Sequence, residues 1–248
     1  LINAGSNRIG SELPGGGNLI SGNTTRGIRI TNSVGGVIRG NLIGTKLDGT
    51  SSLANGQFNV EIEENSNAHE LGGLAVGAGN RIAFSGSGLA AIRVRDLTLN
   101  TAILGNLVFS NSGLGLDLSA AGVTGNDSCD SDTGGNQRQN FPVLTQAYSS
   151  GNLGVRGTLE SAPNTTFRLQ FFASPACDAA GNGEGAVYLG DQLVTTGPTC
   201  ATDFVVTLPA SVALGQVITA TATDPANNTS EFSACRTVLS PPRLALSP

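Results

Sequence analysis

The sequence of 248 residues is poor in charge and in aromatic rings, and both shortages limit what it can do. Charged residues make up 12% of the chain, about half the share of an average globular protein. A net charge of −5 offers no basic surface for nucleic acid or for an anionic membrane. The chain lacks tryptophan and has only two tyrosines, which disfavours a sugar-binding site built from stacked rings.

Histidine and closely spaced cysteines are also scarce. The single histidine, His69, is far in sequence from all four cysteines, and no Cys-x-x-Cys pair occurs, so a zinc site is disfavoured. Four widely spaced cysteines predict disulfides in an oxidising compartment, and spacing leaves all three pairings open. No run of eighteen apolar residues predicts a membrane-spanning helix. We therefore expect a secreted or cell-surface protein that does not insert into a membrane.

A four-residue pattern of alternating apolar and charged positions recurs in the first half of the chain. It occurs at 27–30, 59–62, 91–94 and 115–118. This alternation is typical of a strand with one buried face. If the copies stack in parallel, their third positions bring four charges into one outward row: Arg29, Glu61, Arg93 and Asp117. The recurrence predicts a solenoid wound from strands.

A second unit, Gly-Asn followed by an apolar pair or by Arg-Ile, recurs in the same region. It occurs at 17–20, 40–43, 79–82 and 105–108. One coil of a β-solenoid takes roughly 20–30 residues, so the longest interval predicts an inserted loop, for which 44–57 is the candidate. Asn tolerates the left-handed backbone of a tight corner, and stacked amides can bond to one another. The unit could also mark hairpins, but its in-step recurrence favours parallel coils.

The repeats GNLISGN at 17–23, GIRI at 27–30 and IRGNLIGT at 38–45 resemble those of right-handed parallel β-helices. They are most similar to the pectate-lyase-like superfamily, and within it to the repeats of large secreted bacterial surface proteins. The resemblance implies a right-handed parallel β-helix over residues 1–145. It implies less about activity, because the superfamily contains lyases, hydrolases, adhesins and phage tailspikes.

The rest of the chain reads as short strands separated by turns. The predicted strands are 153–159, 165–173, 186–196, 204–208, 217–223 and 231–239. Such spacing predicts a β-sandwich over 146–240, with Phe167, Leu169 and Phe171 on one inward face. The segments 218–224 and 228–231 resemble the penultimate strand and turn of bacterial immunoglobulin-like modules. Residues 241–248 read as a linker or tail.

The resemblance to immunoglobulin-like modules also implies a disulfide pairing. Similar modules often have a cysteine pair at positions corresponding to Cys177 and Cys235. That pair leaves Cys129 with Cys200, which would tie the connection between the two domains to the sandwich.

The row Arg29, Glu61, Arg93 and Asp117 is the candidate catalytic set if the protein is an enzyme. A uronate lyase needs a cation and a free basic group, and a glycoside hydrolase needs two carboxylates about 5–10 Å apart. The alternating signs instead favour a solvated structural row of mutually neutralising charges. His69, in a polar segment, is expected to be a surface residue.

The segment 126–136 is the candidate metal site. Closely spaced oxygen ligands with glycine at a bend suit calcium, although the spacing is not that of an EF-hand. The predicted ligands are Asp127, Asp130, Asp132 and Asn136. The alternative is a flexible connector. A second set is more typical of an ordinary turn: Asp224, Asn227, Asn228 and Glu231.

Together these features favour a non-enzymatic structural or adhesive segment of a secreted or surface bacterial protein, such as a stalk, adhesin or filament unit. The alternatives are a polysaccharide lyase or hydrolase acting on the β-helix face, and a trimeric tailspike-like receptor binder. A polysaccharide or cell-surface ligand is compatible with each. Since an open coil exposes unpaired strand edges, we expect residues 1–9 to abut upstream coils or a neighbouring subunit.

Overall fold

The computed structural model describes residues 5–119 and 121–241, so residues 1–4 and most of the expected tail lie outside it. These ranges form β-strands and two short 3₁₀ turns, Ser128–Asp130 and Gly135–Arg138, which confirms the all-β prediction. No helix in these ranges could cross a membrane. The strands of the first half are β1 Arg8–Ile9, β2 Leu19–Ile20, β3 Ile28–Thr31, β4 Val37–Ile38, β5 Leu42–Ile43, β6 Val60–Glu63, β7 Glu70–Gly72, β8 Arg81–Ala83, β9 Ile92–Val94, β10 Ala102–Leu104, β11 Leu107–Phe109 and β12 Leu116–Leu118. The strands of the second half are β13 Val143–Ser150, β14 Asn152–Glu160, β15 Thr166–Ser174, β16 Val187–Thr195, β17 Ala201–Leu208, β18 Val217–Thr223 and β19 Arg236–Leu239.

The first twelve strands build three parallel sheets that the chain visits in turn. The sheet orders are β1-β4-β7-β10, β2-β5-β8-β11 and β3-β6-β9-β12, so each strand pairs with the third one before it. Parallel neighbours need a crossover between them, and the strands that the chain contributes to the other two sheets provide it. We call each circuit of three strands a coil. The arrangement is compatible with the predicted β-helix.

The register of the third sheet follows the repeated four-residue pattern. Ile30, Ile62, Val94 and Leu118 occupy equivalent positions and are almost completely buried. Their branched side chains pack well against similar aliphatic neighbours on the pleated surface. The row of charges has the same register as predicted, with Arg29 beside Glu61, Glu61 beside Arg93, and Arg93 beside Asp117.

The predicted amide ladder runs along one corner of the coils. Asn18 donates from Nδ2 to Oδ1 of Asn41 at 2.9 Å, Asn41 to Asn80 at 2.9 Å, and Asn80 to Asn106 at 2.8 Å. The backbone N–H of each donor residue bonds to the same acceptor oxygen. The ladder therefore satisfies corner groups that would otherwise be buried without partners.

A second amide ladder was not predicted. It passes from Asn23 to Asn55, then to Asn59 and Asn111, and ends on the buried carboxylate of Glu184. Asn55 belongs to the inserted loop 44–57 and is fully buried. The loop therefore contributes to the interior as well as protruding from it.

The last seven strands form one sheet in the order β16-β15-β18-β19-β13-β14-β17. All pairs are antiparallel except β13 with β19, and the edge strands β16 and β17 contact each other, so the sheet is nearly closed into a barrel. Its core contains the predicted stripe Phe167, Leu169 and Phe171, all fully buried. The predicted last strand is wrong over 231–235: β19 begins at Arg236, and before it Phe232 packs in the core of the coils and only Ala234 forms an isolated bridge, to Asn182.

The seven-stranded unit covers the end of the coil stack. Phe172 and Phe232 belong to the hydrophobic core of the coils and meet edge-on with ring centroids 5.3 Å apart. Gly185 exchanges two backbone hydrogen bonds with Val108, of 2.8 and 3.0 Å. A Cβ at Gly185 would lie 2.8 Å from the Phe172 ring, so only glycine allows this approach.

Side chains of the second half accept hydrogen bonds from backbone N–H groups of the final coil. The bonds are Thr101 N–H to Asn136 Oδ1 at 3.0 Å, Ile103 N–H to Thr229 Oγ1 at 3.0 Å, and Gly105 N–H to Gln170 Oε1 at 3.1 Å. These acceptors replace the strand that the next coil would have supplied. The covered end is thereby protected from pairing with other strands.

Two disulfides hold the second half together. The pairs are Cys129–Cys200 and Cys177–Cys235, the pairing that the immunoglobulin-like resemblance implied. Cys129 lies in the segment connecting the coils to the seven-stranded sheet, and Cys200 lies just before β17. The first bond therefore restrains the connection between the two parts of the chain.

We expect Asn80→Ala to lower the free energy of unfolding by about 2–4 kcal/mol, because it leaves donors of Asn41 and the acceptor of Ile38 buried without partners. Asn18→Ala, at the exposed end of the same ladder, is the matched control and should cost less than about 1 kcal/mol. Urea unfolding measures both. Equal losses in the two variants would show that the ladder does not stabilise the coils through burial.

Candidate functional site

The charged face of the β3-β6-β9-β12 sheet is more enclosed than the sequence predicts. Glu61 is 0% exposed and Asp117 4% exposed, so the expectation of a solvated row is wrong for these two residues. The reason for Glu61 is that Arg26 and Arg95 lie against it, and both bond to its carboxylate. Burial of a carboxylate requires such partners.

Neighbouring charges on this face also pair differently from the prediction. Arg29 donates to Glu63 at 2.5 Å, and Arg95 lies 3.6 Å from the same carboxylate. Arg29 thus pairs diagonally, two positions along from its opposite residue Glu61, whereas Arg95 contacts both Glu63, which it faces, and Glu61 on the diagonal. Arg29 and Glu61 of the predicted catalytic row are both engaged in ion pairs of this kind. The other two members, Arg93 and Asp117, line a cavity.

This cavity has a volume of about 220 Å³ and lies beside the last two strands of the charged face. Arg93 and Asp117 form its polar wall, and Phe58, Leu89 and Leu114 form its apolar wall. The Arg93 guanidinium lies 5.3 Å from the centroid of the Phe58 ring, a favourable cation–π distance. We call this space the Arg93–Asp117 cavity.

The polar wall of the Arg93–Asp117 cavity is incompletely satisfied. Arg93 donates from one terminal nitrogen to the carbonyl of Ser119 at 3.0 Å. Within residues 5–119 and 121–241, its Nε and the Oδ1 of Asp117 are shielded from water and have no hydrogen-bond partner. Burial raises the pKa of Asp117 to about 6, although Arg93 and Arg95 act in the opposite direction.

The chemistry of this cavity does not match a glycoside hydrolase. Asp117 is the only carboxyl group among the described residues that line it, and hydrolysis by this route needs two carboxyl groups on opposite sides of the bond. Burial raises the pKa of the Glu231 carboxyl, and the charge of Asp117 adds a smaller effect, but both oxygens of Glu231 are bonded to other groups. A cationic group beside one carboxyl with a raised pKa suits ligand binding or proton abstraction.

The predicted metal ligands are brought together in part. Carboxylate oxygens of Asp127, Asp130 and Asp132 lie within 4.8 Å of one another. Burial, with a smaller contribution from Asp127 and Asp132, raises the pKa of Asp130 to about 6, although hydrogen bonds from Ser161 and Asn140 act in the opposite direction. The Oδ1 atoms of Asp127 and Asp132 are shielded from water without a hydrogen-bond donor in the described part of the chain. Three hard oxygen ligands in this arrangement could hold calcium.

The fourth predicted ligand, Asn136, is engaged elsewhere. Its Oδ1 accepts from Thr101 N–H, and its Nδ2 donates to the carbonyls of Thr101 and Thr229. The members of the second predicted ligand set, Asp224, Asn227, Asn228 and Glu231, do not form one group either. Asn228 bonds to Asp224 through its backbone N–H and its amide, whereas Glu231 faces the final coil.

His69 is not the surface residue that the sequence suggested, since it is only 1% exposed. Its Nδ1 accepts from the N–H of Gly36 at 2.9 Å, so its Nε2 carries the proton and donates to the carbonyl of Ser33 at 3.0 Å. Burial lowers the pKa of His69 below its usual value. A neutral, fully bonded imidazole in this position joins adjacent coils.

Two carboxyl groups are buried at the end of the coils: Glu184, which the sequence analysis did not single out, and Glu231, which it assigned to an ordinary turn. Glu184 accepts from the Asn111 amide at 2.7 Å, and Glu231 accepts from Leu118 N–H and Thr124 N–H, both at 2.9 Å. Burial raises the pKa of each to about 7. Their partners are 73 and 113 residues away in sequence, so no local pattern could have identified them.

Comparison of the chain with models of protein families and with curated proteins finds no match in either case. The proposals below therefore depend on the geometry of the chain itself.

Proposed function

We propose that this chain is a non-enzymatic structural or adhesive segment of a secreted or cell-surface bacterial protein, such as a stalk, adhesin or filament unit. In this proposal the coils are a right-handed parallel β-helix of the pectate-lyase-like type, and the seven-stranded unit is an immunoglobulin-like module. The observation that carries the proposal is the covered end of the coils, where the second half of the chain supplies acceptors to the final coil. A covered end of this kind would stop the stack of coils at a defined residue, as a structural rod requires.

Rigidity along the coils supports the proposal. Two amide ladders and the ion pairs of Glu63 with Arg29 and Arg95 connect successive coils at their corners and on one face. In a stacked architecture each repeat contacts mainly its neighbours, so stability depends on these interfaces. The disulfides are compatible with an oxidising, extracellular environment.

The opposite end of the coils supports the proposed partner. β1, β2 and β3 are edge strands of the three parallel sheets. Asn18 and Asn23 each donate to the next amide of a ladder, and the repeat of this geometry would let their own oxygens accept from an upstream coil. We propose that upstream coils of the same protein or a neighbouring subunit continue the stack here.

A structural calcium ion at Asp127, Asp130 and Asp132 is part of the same proposal. It would bind the shielded Oδ1 atoms of Asp127 and Asp132, which have no hydrogen-bond donor among the described residues, while Arg138 lies 3.8 Å from the other oxygen of Asp132. The ion would also relieve repulsion among the three carboxylates. Because this cluster lies beside Cys129, calcium would stiffen the connection between the coils and the seven-stranded unit.

We expect EDTA to lower the melting temperature by about 5–10 °C and millimolar calcium to restore it, since binding to the folded state alone stabilises a protein by mass action. Differential scanning calorimetry measures the shift. Asp132→Asn should abolish the response, and Asp203→Asn, an exposed carboxyl on β17, should retain it. An identical melting temperature in EDTA and in calcium would remove the ion from the proposal.

The enzymatic alternative is favoured by one observation, the Arg93–Asp117 cavity. We expect no turnover of polygalacturonate or alginate, because the described lining of this cavity offers a single carboxyl group and no metal ligand set. Product formation is followed as ultraviolet absorbance of unsaturated uronates and as reducing ends. Turnover that persists in Arg29→Ala and disappears in Arg93→Ala would replace the structural proposal with a lyase.

A further inference from the structure

The Arg93–Asp117 cavity contains a charge pair whose members stand on adjacent strands. Arg93 of β9 and Asp117 of β12 are register partners, and neighbouring strands lie about 4.8 Å apart. Asp117 is buried to more than nine-tenths, yet no ion pair joins it to Arg93 in the described structure. Two opposite charges are therefore presented side by side to one small space.

Both charged groups have unused hydrogen-bonding capacity. Asp117 Oδ1 can accept and Arg93 Nε can donate, and neither finds a partner in the described ranges. A buried polar atom left in this state costs about 1–3 kcal/mol. Both side chains also line the cavity, so a ligand that offers a donor to the Asp117 carboxylate and an acceptor to the Arg93 guanidinium would pair both charged groups at once.

We propose that the Arg93–Asp117 cavity binds a free α-amino acid with an apolar side chain, its ammonium on Asp117 and its carboxylate on Arg93. These two ligand groups are attached to one carbon atom, so they can contact side chains on adjacent strands simultaneously. Phe58, Leu89 and Leu114 would hold the apolar side chain. A volume of about 220 Å³ suits a molecule of the size of leucine.

Other small ligands satisfy only half of the polar wall. A carboxylic acid would bond to Arg93 and leave Asp117 unpaired, and an amine would do the reverse. A metal cation would be repelled by Arg93 and would find one carboxylate in the described lining. Binding of an amino acid goes beyond the proposed structural function and does not depend on it.

Isothermal titration at pH 7, where Asp117 is mostly ionised and the amine of leucinamide is mostly protonated, tests the proposal with three probes: L-leucine, leucinamide and 4-methylpentanoate. We expect L-leucine to bind most tightly, and each probe that lacks one charged group to bind roughly tenfold or more weakly. Equal affinity for all three would overturn the proposal. So would the absence of any binding of L-leucine at concentrations up to about 10 mM.

Variants assign each ligand group to its residue. In Asp117→Asn, L-leucine should lose its advantage over 4-methylpentanoate, and in Arg93→Gln it should lose its advantage over leucinamide. Arg29→Gln, on the same face two coils away, is the control and should bind L-leucine as the unaltered protein does. Circular dichroism and melting temperature verify folding, and Leu114→Phe provides a second test by filling the cavity. Unchanged L-leucine binding in a folded Asp117→Asn or Leu114→Phe variant would contradict the proposal.

Discussion

The structure depends on the way in which its stack of parallel coils ends. Each coil both donates backbone hydrogen bonds to its neighbours and accepts them, as in Leu42 N–H to the preceding coil and Gly27 N–H to the following one, so the last coil has backbone N–H groups without a strand to accept them. The second half of the chain provides those acceptors through side chains such as Thr229 and Gln170, and through the backbone of Gly185. It also closes the apolar interior with Phe172 and Phe232.

This ending explains the unusual polar groups at the boundary. Glu184 ends an amide ladder, and Glu231 binds the N–H groups beside the last strand of the charged face. Both carboxyl groups are buried because they lie between the final coil and the second half of the chain. This burial raises the pKa of each to about 7. The boundary also forms the Arg93–Asp117 cavity, where Ala180 of the second half meets the charged face of the coils. Ending the stack and creating this cavity are consequences of the same packing.

Features set by local repetition could be predicted from the sequence. The Gly-Asn units led to the amide ladder through Asn41 and Asn80, and the alternation around Glu61 and Arg93 led to their register. Both repeat at the period of one coil, so a single residue type has the same role each time it returns. The all-β class and the stripe Phe167, Leu169 and Phe171 followed from alternation in the same way.

Features created by contacts between distant segments could not be predicted. The burial of Glu61 requires Arg26 and Arg95, which lie in neighbouring coils, and alternation alone places all such charges in solvent. His69 has a polar local sequence but is enclosed by the preceding coil at Gly36. Asn136 has the chemistry of a calcium ligand, yet its amide completes the final coil. In each case the partner is more than thirty residues away along the chain.

Native-state hydrogen exchange of the final coil tests the central claim most directly. The amide protons to follow by NMR are those of Ile103, Gly105 and Leu118, whose acceptors belong to the second half of the chain. The account predicts that they exchange as slowly as the interior amide of Leu42 and that Phe232→Ala accelerates them selectively. Exchange of these three amides at the rate of exposed groups in the unaltered protein would contradict it.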